Sequence, residues 1–238
     1  MMMLVNRCAV TGAALALLLA VPAYGSMNKS VNIAAGEDSS GASTVNGSIS
    51  VGQGATVTGA LETVNGSIRI DHDARIGDAE TVNGAIRVAE KVHSKNLTTV
   101  NGSIRVGAGT TVDGSVETVN GRIDVGKGSS VASDVGNING RIELTGSQVG
   151  GDVSTVGGDV ELADGAVVRG DIIVRKPGGW NWGKQRKPRI VIGPGSRVEG
   201  AIRLEREVEL YISESAEVGG VEGVMTMDNA VRFRGKRP

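Results

Sequence analysis

Large rings are scarce in this sequence: two tryptophans, two tyrosines and one phenylalanine among 238 residues. A globular interior of that length leans on such side chains. Their scarcity argues against a broad core and for a narrow one filled by Val, Ile and Leu, of which the β-branched pair favours strands. Cysteine is nearly missing. Cys8 stands before an apolar run, Ala9–Val21, so no disulfide framework holds the chain. Histidine is limited to His72 and His93, too few for a zinc set without Cys. Neither charge dominates, with 25 Lys and Arg against 26 Asp and Glu, which argues against the chain as a whole being a polyanion binder and against a nucleic-acid partner. Beyond the first two dozen residues no stretch has the apolar period of a helix. No G-x-S-x-G elbow and no phosphate-loop lysine motif occurs.

What is abundant is repetition. TVNGSI stands at Thr44–Ile49 and again at Thr63–Ile68 and Thr99–Ile104. Variants follow as TVNGAI (Thr81–Ile86), TVNGRI (Thr118–Ile123), NINGRI (Asn137–Ile142) and TVGGDV (Thr155–Val160). The asparagine column is Asn46, Asn65, Asn83, Asn101, Asn120 and Asn139, with Gly157 in the seventh place. A second signature, G-x-x-V-x-G, keeps the same period through Val57, Ile76, Val112, Val131, Val149, Val168, Val198 and Val218. Its missing copy falls in KVHSKN (Lys91–Asn96), which predicts an irregular coil there. A fixed period of 18–19 residues marks a repeat architecture, one domain at any length.

Within one period Ile104 and Val106 alternate with Ser103 and Arg105, the pattern of a half-buried strand, and Val112 and Val116 mark two more inward positions. Asn-Gly and Gly-x-Gly between them suggest corners with positive φ. The expected fold is all-β: a single-stranded parallel β-helix, or solenoid. It has about 18–19 residues per coil and roughly ten coils, hence a length on the order of 50 Å. The right-handed form is favoured, because parallel crossovers are right-handed by default. The asparagines are expected to stack as an amide ladder.

The chain divides as follows. Residues 1–25 have the shape of a secretory signal peptide, with cleavage after Ala23 or Gly25, and imply export to the bacterial periplasm or cell surface. Residues 26–42 are a leader and imperfect first coil, 43–174 the regular coils, 190–222 the C-terminal coils and 223–238 a basic tail. Residues 175–189, RKPGGWNWGKQRKPR, interrupt the period as a basic insertion. It is expected to leave the rod as a loop between Val174 and Ile190. Trp180 and Trp182, with Arg175, Lys176, Lys184, Arg186, Lys187 and Arg189, form the candidate binding surface. Rings beside cations suit an envelope polysaccharide or an anionic membrane surface. The competing expectation is that these cations pair with the acidic coils that follow.

GAVVRGDIIV (Gly165–Val174) and VIGPGSRVEGAIRLEREVEL (Val191–Leu210) resemble coils of the bactofilins, a polymer-forming bacterial cytoskeletal family. The TVNGSI copies resemble bacterial adhesin-type β-strand repeats. The bactofilin resemblance implies a right-handed β-helix and end-to-end self-assembly without nucleotide. The signal peptide and the basic Trp-bearing insertion depart from that family's pattern. Neither resemblance supplies catalytic residues.

His72 in DHD (Asp71–Asp73) reads as a surface turn, and GGDVELADG (Gly157–Gly165) lacks the register of calcium-binding repeats, so no metal and no cofactor is expected. Arg69, Arg87 and Arg105 share one outward repeat position and should stack as like charges. That column is either an anion-binding stripe or a solvated face balanced by Glu62, Glu80 and Glu117; the second reading is preferred. The expected function is non-enzymatic: a structural or adhesin-like rod of the envelope that self-associates or binds an envelope partner. The alternative is a carbohydrate-active or acyl-transferring enzyme, with His93 as its candidate base.

Overall fold

The computed structural model describes residues 28–178, 186–235 and 237–238. The signal-peptide reading falls on residues outside the described ones, as do Trp180, Trp182 and Lys184. The described chain is a parallel β-solenoid of about ten turns. One sheet contains eleven strands, running from Val31–Ile33 through Ile49–Val51 and Ile68–Ile70 to Val231–Phe233. A second, of eighteen strands, consists of two ladders that merge in Arg197–Leu204. All the pairings are parallel and join each coil to the next, for instance Ile86 to Ile104 and Val116 to Val135. Among the described residues, helix is limited to a 3₁₀ turn, Met227–Asn229.

The strands follow from period-two patterning: Ile68 and Ile70 are buried and Arg69 between them is exposed. Stacking turns such residues into inward columns, Ile49–Ile68–Ile86–Ile104–Ile123–Ile142 along one wall and Leu61–Ala79–Leu97–Val116–Val135–Val153 along another. One coil alone cannot enclose its apolar side, so burial is a property of the stack. Residues 28–42 already form a coil, in register with the next through Val31–Ile49 and Asp38–Thr56.

The coil expected to be irregular is regular. His93 pairs in register with Arg75 and Thr111, and Ser94 with Val112, so Ser94 occupies the place held elsewhere by valine. The pattern was hidden because the inward residue is polar.

The corners differ from expectation in their cause. Of the Asn-Gly glycines, Gly140 has positive φ, at 123°, but Gly47, Gly66, Gly84, Gly102 and Gly121 do not; a Cβ on Gly102 would lie 1.7 Å from the carbonyl oxygen of Gly84 in the preceding coil. Close approach of two backbones, not backbone conformation, requires glycine there. Positive φ belongs to the other corner, at Gly54, Gly109, Gly128 and Gly195, and Asp73 and Lys91 adopt it in the same column.

Candidate functional site

Three polar columns run along the rod. The amide ladder is present and longer than expected: Asn46 donates to Asn28 at 2.7 Å, and Asn65, Asn83, Asn101, Asn120 and Asn139 each donate to the asparagine one coil before, at 2.9–3.1 Å. All six asparagines of the repeat are exposed. Gly157 ends the ladder.

The threonines of the same motif form a buried column. Thr63, Thr81 and Thr99 donate to the carbonyl oxygens of Gly47, Gly66 and Gly84 at 2.8–3.0 Å. The signal was available, since a hydroxyl returning at an inward position needs a partner. In the third column Asp134, Asp152 and Asp171 accept the backbone N–H of Asp152, Asp171 and Ala201, each at 2.8 Å. A Cβ on Gly151, Gly170 or Gly200 would lie 2.1–2.4 Å from these carboxylate oxygens, which explains the last glycine of G-x-x-V-x-G. These columns hold the coils together.

The described part of the basic insertion is tied to the rod. The Arg186 guanidinium donates to both oxygens of Asp159, at 2.8 and 2.7 Å, and Arg189 N–H donates to the same carboxylate at 2.8 Å. Lys187 pairs with Glu207 at 2.7 Å and holds that carboxyl below its usual range. The backbone N–H of Lys176 donates to Glu205 at 2.9 Å, and that of Arg175 to Thr155 at 2.8 Å. Arg189 is no loop residue: it begins strand Arg189–Ile192, with its guanidinium carbon 4.8 Å from the centre of the Tyr211 ring. The pairing places Lys187 with an acidic coil that follows and Arg186 with one that precedes. Asp159, one acid of the calcium-like string, is thereby taken by the Arg186 guanidinium and the Arg189 backbone N–H.

The arginine column stands differently. Arg69, Arg87 and Arg105 are in register on adjacent strands of the eleven-stranded sheet and are exposed. The expected balance by Glu62, Glu80 and Glu117 does not occur. Those glutamates lie in the other sheet, beyond the Val-Asn-Gly corner, stacked on one another and on Thr98. Burial first, then the neighbouring acids, pushes Glu80 and Glu117 above the usual carboxyl range, and no cation offsets it.

Further along the arginine column come Asp124, Glu143 and Glu161. Arg122 bonds Asp124 and also Glu143 at 2.7 Å, and Arg141 bonds Glu161. Arg105 reaches Asp124 at 3.5 Å. Among the described residues no carboxylate pairs with Arg69 or Arg87. These two line an open hollow of about 430 Å³ with Asn32, Ser50, Asp71 and Ala89.

The candidate catalytic groups are separated. His72 is exposed on its turn, its Nδ1 2.8 Å from Asp73 Oδ2. The Nε2 of His93 lies 2.6 Å from Asp113 Oδ2 one coil away. Among the described residues no cluster of three His, Cys, Asp or Glu side chains forms a metal site.

Comparison with family models, curated proteins and solved structures finds no match for this chain.

Proposed function

We propose that the chain is a non-enzymatic structural rod of the bacterial envelope that acts through its faces, binding an envelope partner or another copy of itself. The observation that carries this reading is the uninterrupted parallel ladder from Val31–Ile33 to Val231–Phe233. Nearly every coil contributes the same outward positions at one spacing, about 4.8 Å. Such a surface offers repeated, flat recognition rather than a cleft that gathers an acid, a base and a nucleophile. Bactofilin-like stacking end to end is one form of self-association, since unpaired strand edges are templates for further strands. Asymmetry of the ends bears on it. The first strands have a partner on one side only among the described residues, whereas Met225, Met227 and Ala230 pack over the last coils. Lateral contact through the long faces leaves both ends as they are.

Sedimentation and negative-stain microscopy of the exported chain test the reading. Elongated particles that associate, or that bind isolated envelope material, are expected. A compact particle, or turnover of envelope glycans or acyl donors that His93→Ala abolishes, would overturn it.

A further inference from the structure

We propose that the hollow around Arg69 and Arg87 binds a linear anionic polysaccharide carrying one acidic group per sugar, laid along the solenoid axis. The inference rests on the rod reading and names the class of envelope partner.

Two exposed guanidinium groups, stacked in register and without a carboxylate partner among the described residues, are unfavourable neighbours at about 4.8 Å. On the same face Arg105, Arg122 and Arg141 each have an acid, and the Arg189 guanidinium lies over the Tyr211 ring. An anion is what Arg69 and Arg87 lack.

The shape and the lining choose the kind of anion. The column reads Asn32, Ser50, Arg69, Arg87, Arg105 over five successive coils, about 19 Å from first to last. The column is thus long, suited to an extended polymer rather than a single small ion, and its first four positions line the hollow. An extended uronate chain presents carboxylates at regular intervals along the side that faces the column, and these would meet its guanidinium groups as charge-assisted pairs. Asn32 and Ser50 add neutral hydrogen-bonding groups, and Asp71 puts an acceptor at the rim. A ligand with hydroxyls between its charges uses all three. A polyanion without hydroxyls has no donor for Asp71, and the denser its charge the more Asp71 repels it.

The site has an end. At Asp124 the column turns acidic and continues through Glu143 and Glu161, whose side chains are 26 % and 18 % exposed and already bonded to arginine. A polyanion running from Asn32 is therefore stopped after Arg105.

The test is binding of short and long polygalacturonate oligomers to the exported chain at low salt, by calorimetry. Arg69→Gln/Arg87→Gln is compared with Arg197→Gln, whose parent arginine pairs with Glu217 at 2.9 Å elsewhere on the rod. Long oligomers are expected to bind more tightly than short ones, and Arg197→Gln to bind as wild type. The double variant should lose about ten-fold for each guanidinium removed. Its dependence of log affinity on log salt should flatten by about two, the number of charges lost.

The exposed substitutions relieve repulsion, so the variant should melt no lower than wild type. Equal affinity of the double variant, equal binding of neutral dextran, absence of binding to any oligomer, or binding to anionic vesicles without binding to the polymer would each overturn the proposal. Sedimentation of the same samples reports separately on the rod.

Discussion

Ser94→Val should stabilise the solenoid by about 2 kcal/mol, although Ser94 lies in a column that looks interrupted in the sequence. Ser94 is 0 % exposed, its hydroxyl has no hydrogen-bond partner, and it sits in register with Val112. A buried polar group left unpaired costs about 1–3 kcal/mol. Replacing the hydroxyl with two methyl groups adds roughly one buried carbon, about 0.8 kcal/mol. Overpacking opposes this by about 1–3 kcal/mol where space is short. Space is not expected to be short, since Val57, Val112, Val131, Val149 and Val168 fill the same column with the same ladder register. Urea unfolding measures the gain, with Ser94→Ala as the variant that removes the hydroxyl and leaves a void. Because a solenoid is stabilised coil by coil, amide exchange at His93–Ser94 should slow as well. A lower urea midpoint for Ser94→Val beside an unchanged one for Ser94→Ala would refute the reasoning, showing a site sized for serine.

Gly102→Ala should cost about 3 kcal/mol or more, because its Cβ meets the backbone oxygen of Gly84 at 1.7 Å. Gly109→Ala, with φ at 65° but nothing nearer than Lys91 Cγ at 3.6 Å, should cost only about 1–2 kcal/mol; thermal melts of the pair check the order. Asn101→Leu should cost about 1 kcal/mol by the same measurement: it removes two amide bonds of 3.1 Å, but in an exposed ladder where water replaces them.

Glu80 and Glu117 have carboxyls raised above 4.5, so the folded state holds their protons more tightly than the unfolded chain does. Their destabilising contribution is present above the folded values and is relieved as pH falls toward 4.5. Glu80→Gln/Glu117→Gln should raise the melting temperature at neutral pH and reduce the gain on mild acidification; an unchanged pH dependence would contradict the assignment.

How far the sequence reaches differs from column to column. Inward positions such as Ile104 and Val106 were legible because the alternation is local. The amide ladder was legible because asparagine returns at one spacing. Ser94 was not, since only its register against Val112 reveals that it faces inward. The reason for Gly102 was hidden too: the clash is with Gly84, eighteen residues away, and a composition rule about Asn-Gly turns points instead to φ. The arginine column was read correctly as a column and assigned the wrong counter-charges. Glu62 is close to Arg69 in sequence, but the corner at Val64–Ser67 carries the chain into another sheet before Arg69 appears. Proximity along the chain is a poor guide to charge balance when each coil turns several corners.

The place of the insertion follows from the same corner. Val174 is in register with Thr155, and Ile190 with Val160, so residues 175–188 replace the short Val-Gly-Gly corner of the coil before. At that point the inward threonine becomes Val174 and then Leu204, both buried. The amide ladder has already ended at Gly157. A corner without its hydroxyl and amide columns needs another source of cohesion, and the acids and bases of this region supply it. Arg186 takes the Asp159 carboxylate, and Arg206 from the next coil donates to the carbonyls of Val156 and Arg186, each at 3.3 Å. The basic character of the insertion is thereby partly structural: Arg186 and Lys187 join it to the coils on either side. Arg69 and Arg87, on a different stretch of the rod, are exposed and have no carboxylate partner among the described residues, so their charge is open to a partner in a way that of Arg186 and Lys187 is not.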